Sequence, residues 1–152
     1  MKTWTQLKNI RDGMKSRIEA ATLNVAINGV IVGGNSRLSD FNPPLVWLMP
    51  VNAAVIDESM ALNEYWTPRY LVIGVVQSYE PEEGMAQAEE LALRASAALL
   101  FDSQGEEDRT LDGNCLDLVR TGFSPASDRI TNDGALYGAA VEIEVRFNNQ
   151  DG

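Results

Sequence analysis

Arg69-Tyr70-Leu71-Val72-Ile73-Gly74-Val75-Val76-Gln77 is apolar at every position between its two polar ends. A strand that is apolar on both alternating faces is usually central in a sheet and covered on both sides. A few residues later the chain reads as helix. Pro81 suits a first turn, and Glu80, Glu82 and Glu83 complement the positive end of a helix dipole. Met85, Ala88, Leu91, Ala92, Ala95, Ala98 and Leu99 supply a buried stripe, which places a helix over about Pro81–Phe101. Its many alanines allow close approach to the sheet.

Working outward toward the N-terminus, Asp57 to Trp66 mixes acidic and apolar residues and reads as a strand leading into Thr67-Pro68. Leu45-Val46-Trp47-Leu48-Met49 is a short strand between prolines, as expected of an edge or a strand end. In Leu23 to Phe41, Val25, Ile27 and Val30–Val32 suggest short strands, with Asn28-Gly29 as a tight turn and Gly33-Gly34 as a break. Trp4, Leu7, Ile10, Met14, Ile18 and Ala21 recur every three or four residues, so the chain opens with an amphipathic helix, Thr3 serving as its N-cap.

Toward the C-terminus, Asp102 to Gly113 reads as an acidic loop, Asn114–Gly122 as a strand and Ser124 to Gly134 as a second loop. In Leu136–Phe147, Val141, Ile143, Val145 and Phe147 alternate with Glu142, Glu144, Arg146 and Asn148, the mark of a half-buried strand. Residues 148–152 are expected to be a loose tail. These elements describe one α+β domain over residues 1–152: a mixed, mostly antiparallel sheet with an N-terminal helix and a second long helix packed on it.

Composition narrows the function. A chain of 152 residues buries roughly 68–70% of its unfolded surface. Its net charge of −10 repels phosphate backbones, which argues against direct nucleic-acid binding. Apolar runs such as Leu71–Val76 fall far below the ~20 residues of a membrane span. The start, Met-Lys-Thr-Trp-Thr-Gln-Leu, lacks the apolar core of a secretory signal, so a soluble, cytoplasmically made protein is expected.

Few side chains here are equipped for catalysis. The chain has no histidine, which removes Ser-His-Asp and Cys-His arrangements and His-based metal sites. Cys115 is alone and reads as a buried small side chain. Gly29-Val30-Ile31-Val32-Gly33-Gly34-Asn35-Ser36 lacks the Gly-Lys-Ser/Thr ending and the following helix of a phosphate loop. The paired acids Asp57-Glu58, Glu82-Glu83, Glu89-Glu90 and Glu106-Glu107-Asp108 lie in loops and on helices, where adjacent positions diverge around the axis. No catalytic, metal or cofactor-binding residue is expected.

Assembly is the better-supported use of the surface. Glu142, Glu144 and Arg146 form a mixed-charge stripe on the last strand. Asp108-Arg109 and Asp128-Arg129 place opposite charges side by side in loops, and Trp47 and Trp66 lie near prolines as interface aromatics. The plain alternatives are a solvated face, loop salt bridges and core tryptophans.

The order of elements resembles the tail terminator proteins of tailed bacteriophages. The likeness is carried by the N-terminal helix, the Pro44-Leu45-Val46-Trp47 strand, and Arg69-Tyr70-Leu71-Val72-Ile73-Gly74. It continues through the Glu-rich start of a helix ending Ala97-Ala98-Leu99-Leu100-Phe101 to the closing strand Ala140–Phe147. The likeness spans nearly the whole chain without a signature motif, and Leu23–Phe41 fits it least. It implies a homohexameric ring on the head-proximal end of the tail tube, in a virion assembled in the host cytoplasm. The ring's partners would be the tail tube protein and a head-completion or connector protein, with DNA only passing through the lumen and no membrane involved. Six copies at −10 each carry about −60, which suits an acidic wall along which DNA slides. The rival expectations are another head–tail joining or baseplate subunit, and a ferredoxin-like small-ligand module; an enzyme comes last.

Overall fold

The computed structural model describes residues 3–33, 42–52, 56–58, 64–131 and 134–149. In chain order its elements are α1 (Thr3–Ala20), β1 (Val30–Val32), β2 (Leu45–Asn52), β3 (Ile56–Glu58), β4 (Glu64–Trp66), β5 (Arg69–Ser78), α2 (Pro81–Ala98), β6 (Asp117–Thr131) and β7 (Gly134–Asn149). This is the expected α+β architecture, and its sheet is mixed: β1 runs parallel to β2, and every other pairing is antiparallel.

β7 is the spine of the sheet. Val141 pairs with Val72 of β5 on one edge and with Phe123 of β6 on the other. Farther along, β4 takes over from β5, pairing Trp66 with Phe147, and the Val145 N–H bridges the junction by donating to the Pro68 carbonyl at 3.0 Å. β2 and then β1 lie beyond β5, and β3 lies beyond β4.

Both helices pack on one face of this sheet. Ile10, Met14 and Ile18 of α1 and Ala88, Leu91, Ala92 and Ala95 of α2 form one core with Val46, Leu48, Val72, Val76, Val141, Ile143, Val145 and Phe147. The alanine stripe does what its composition suggests. A Cβ on Gly74 would stand 2.8 Å from the Ala88 carbonyl and the Ala92 nitrogen, so α2 crosses β5 where only glycine leaves room. The stripe begins at Gly84, buried against Tyr137, whereas Met85 of the expected stripe is exposed.

Several sequence expectations need correction. β5 is central as expected, but among the described residues helices cover only one of its faces. β2 is no edge strand, since it lies between β1 and β5 and runs on through Pro50. β1 reaches only Val46–Leu48, so Pro50, which has no N–H to donate, lies beyond the doubly paired stretch, beside a bulge before Asn52. Of the strands expected in Leu23–Phe41, only Val30–Val32 forms; residues 34–41 lie outside the described residues. Asn28 makes no hairpin turn. Its backbone N–H donates to the Pro44 carbonyl at 2.7 Å and its side chain to the Asn42 and Pro43 carbonyls, which ties this segment to the entry of β2.

The strand expected over Asp57–Trp66 resolves into β3 and β4, with residues 59–63 outside the described set. Thr3 is the first residue of α1. The expected loop at Ser124–Gly134 is largely strand: β6 continues to Thr131 and pairs with β7 up to Gly134. Among the described residues β6 pairs only with β7, so Pro125 removes no bond from a second strand there, and bulges at Arg120/Gly122 and Ser124/Ser127 absorb the irregularity. Asn148 and Asn149, expected in a loose tail, pair with Tyr65 and Glu64.

Candidate assembly surfaces

The face of the sheet away from the helices has its own chemistry. Leu45 and Val75, with Ile31, Trp47 and Ile73, form a second apolar cluster that contains no helix residue. Cross-strand register brings them together, Leu45 opposite Val75 and Trp47 opposite Ile73, with Met49 opposite Leu71 alongside. Leu45 and Val75 are buried, while Ile31, Trp47, Met49, Leu71 and Ile73 keep part of their surface exposed. The Trp47 indole N–H donates to the Gly33 carbonyl, which fixes the ring on this face.

Leu71 pairs with Glu142, and there the apolar half gives way to a charged half. Arg69 lies 3.5 Å from Glu144 and 4.0 Å from Glu142, and Arg146 lies 3.4 Å from Glu144. Glu142, Glu144 and Arg146 therefore share one face, as their alternation requires, and Arg69 joins them across the sheet. Sequence reasoning missed Arg69. Its signal is its position directly opposite Glu144, legible only once β5 and β7 are paired.

Trp66 is elsewhere. It stacks on Phe147 with centroids 6.2 Å apart and planes 10° from parallel, partly buried on the helix-covered side. The two tryptophans thus lie on opposite faces of the sheet and do not form one patch.

Asp108 and Arg109 also part company. Asp108 accepts from the Thr110 hydroxyl and backbone N–H, from the Asp112 N–H, and from the Arg17 guanidinium at 2.6 Å. These bonds, those from Thr110 first, hold its carboxyl far below the ordinary carboxylate range. Arg17 also donates to the Leu99 and Asp108 carbonyls, at 2.9 and 2.7 Å, with its side chain 8% exposed. It pins the loop after α2 to α1. Arg109 instead pairs with Glu107 at 2.9 Å. Asp128 and Arg129 lie in β6 opposite Tyr137 and Leu136.

Cys115 is buried, and burial pushes its thiol up to about 12, with Asp117 and Asp108 adding to the rise. It is a thiol at neutral pH, consistent with a packing role. Among the described residues no three His, Cys, Asp or Glu side chains converge to hold a metal ion, and no helix is long and apolar enough to cross a membrane.

No protein-family model matches the chain, and no curated protein matches it in sequence. Among solved structures it is similar to a chain from the virion of a native gene transfer agent (GTA) particle. The TM-score is 0.56 at 12% identity, over 97% of this chain and 100% of the other. At that identity the likeness is one of fold, and it extends from end to end of both chains.

Proposed function

We propose that this protein is a structural component of a phage-like virion, and more narrowly that it caps the head-proximal end of a tail tube as a homohexameric ring. The observation that carries the reading is the end-to-end fold likeness to a chain of a gene transfer agent virion. The resemblance of element order to tail terminators supports the narrower role. A capping ring acts by occupation: it pairs with the last ring of the growing tube, stops polymerisation, and offers a different upper face to a head-completion protein. Such work needs surfaces instead of a catalytic centre, and the half-exposed apolar zone around Trp47 and Ile73 beside the Arg69–Glu144 ion pairs is a surface of that kind.

Light scattering at high protein concentration, with negative-stain imaging of the same sample, tests the ring. The expected species has six times the 16.7 kDa chain mass and a central hole. A closed ring of another copy number would overturn the hexamer and favour a different joining subunit.

A further inference from the structure

Helix α1 presents two unlike flanks. Trp4, Lys8, Arg11 and Lys15 follow one another at spacings of four, three and four, which puts them on one side. Arg11 turns inward to hydrogen bond with Tyr70, leaving Trp4, 64% exposed, with Lys8 and Lys15 as an aromatic and basic flank. Among the described residues Lys8 pairs with Asp12 at 3.0 Å, with both side chains exposed, so the pair is readily exchanged. Every lysine of this chain of net charge −10 lies in its first fifteen residues.

The other flank of α1 borders a groove of about 850 Å³, closed on its far side by the end of α2 and the loop that follows. Small residues, Gly13, Ala20 and Ala98, leave the room, and Phe101, 45% exposed, forms an aromatic edge. Asp12, Asp102 and Asp112 line it, while the positive charge of Arg17 is taken up by Asp108 at 2.6 Å and Asp112 at 3.3 Å. With three aspartates to one arginine the groove is net acidic, roomy and partly aromatic. The neighbouring flank of the same helix, which shares the Lys8–Asp12 pair at the groove's rim, is basic with a protruding indole.

We propose that this groove receives the Trp4–Lys8–Lys15 flank of α1 from a second copy of the chain. The inference rests on the ring reading above and names its subunit contact. Charge favours this partner, because the aspartates of the groove attract the basic flank. The indole supplies the apolar anchor that such contacts depend on. Flank and groove are different surfaces, so each contact leaves one of each unused at the ends. Such a head-to-tail contact adds copies, and it yields a ring where the rotation between successive copies closes.

Complementary variants test this. One carries Trp4→Ser, Lys8→Glu and Lys15→Glu in the flank; the other carries Ser16→Trp and Ala20→Arg at the groove wall. Both are first checked for a wild-type thermal transition, and Lys15→Glu alone replaces the triple variant if that does not fold. Each variant alone is expected to lose self-association by about 100-fold. Mixed in equal amounts, they are expected to form a dimer and nothing larger, since one intact flank meets one intact groove. Sedimentation and NMR shifts at millimolar concentration read the result. No interaction in the mixture, or wild-type association by either variant alone, overturns the contact. Tube capping by the wild type is scored separately: capping without pairing in the mixture removes this contact and spares the function. Pairing without capping does the reverse.

Discussion

The two faces of the β2–β5–β7 sheet are built from the same strands in the same register, and they differ in what covers them. On one side Val46, Leu48, Val72 and Ile143 are 0% exposed beneath α1 and α2. On the other Trp47, Met49, Leu71 and Ile73 keep part of their surface, and beyond them the strands turn to paired charges. The covered face satisfies the need to bury enough apolar area to fold. Among the described residues the open face carries no helix, so substitutions on the two should differ in their cost to stability.

The largest expected effect is on the covered face. Leu91→Ala should cost about 2–5 kcal/mol, because Leu91 is fully buried between α2 and the sheet and its loss leaves a cavity. Gly74→Val should follow at about 1–3 kcal/mol, since its side chain would meet the α2 backbone. Chemical denaturation reads both. If Ile73→Ala on the open face cost as much as Leu91→Ala, the contrast between the faces would fail. Its expected cost is about 1 kcal/mol, in keeping with partial burial.

Asp108→Asn probes the clamp between α1 and the loop, outside both faces, and should cost about 1–3 kcal/mol at pH 7. The sign with pH follows from the depressed carboxyl. Its contribution is complete above the unfolded-state value of about 3.9 and is lost as pH falls below that through the lower folded-state value. Urea titrations at pH 7 and pH 2.5 should therefore show the wild-type advantage over Asp108→Asn shrinking at the acid end. Glu144→Gln is the mildest, about 0.2–1 kcal/mol and smaller in high salt, because its pairs with Arg69 and Arg146 are partly solvated.

How much of this the sequence revealed depends on the range of the signal. The alternation of β7 and the stripe of α1 are local patterns. β7 is found where its period places it, and Leu7, Ile10, Met14 and Ile18 of α1 face the core. Trp4, however, expected in that stripe, is 64% exposed because its position projects beyond the sheet-facing side, and Ala21 lies past the end of α1. β6 was hidden by Ser124, Pro125 and Ser127, which read as loop; a fifteen-residue strand forms there because β7 offers one continuous edge and bulges absorb the misfits. The open face was hidden for another reason: apolar residues on both sides of β5 do not say whether a helix or another molecule will cover them. The Arg17 clamp joins residues 91 positions apart, a separation no local pattern reports. Among the candidate site residues, the stripe of Glu142, Glu144 and Arg146 was legible from period two, but its partner Arg69 was not.

The most direct test of the capping role is to add the protein to its polymerising cognate tail tube protein and image the ends by cryo-electron microscopy. The account expects elongation to stop and a sixfold ring to appear on one end of each tube. Tubes that lengthen at an unchanged rate with bare ends, while the folded protein stays in solution, would contradict it.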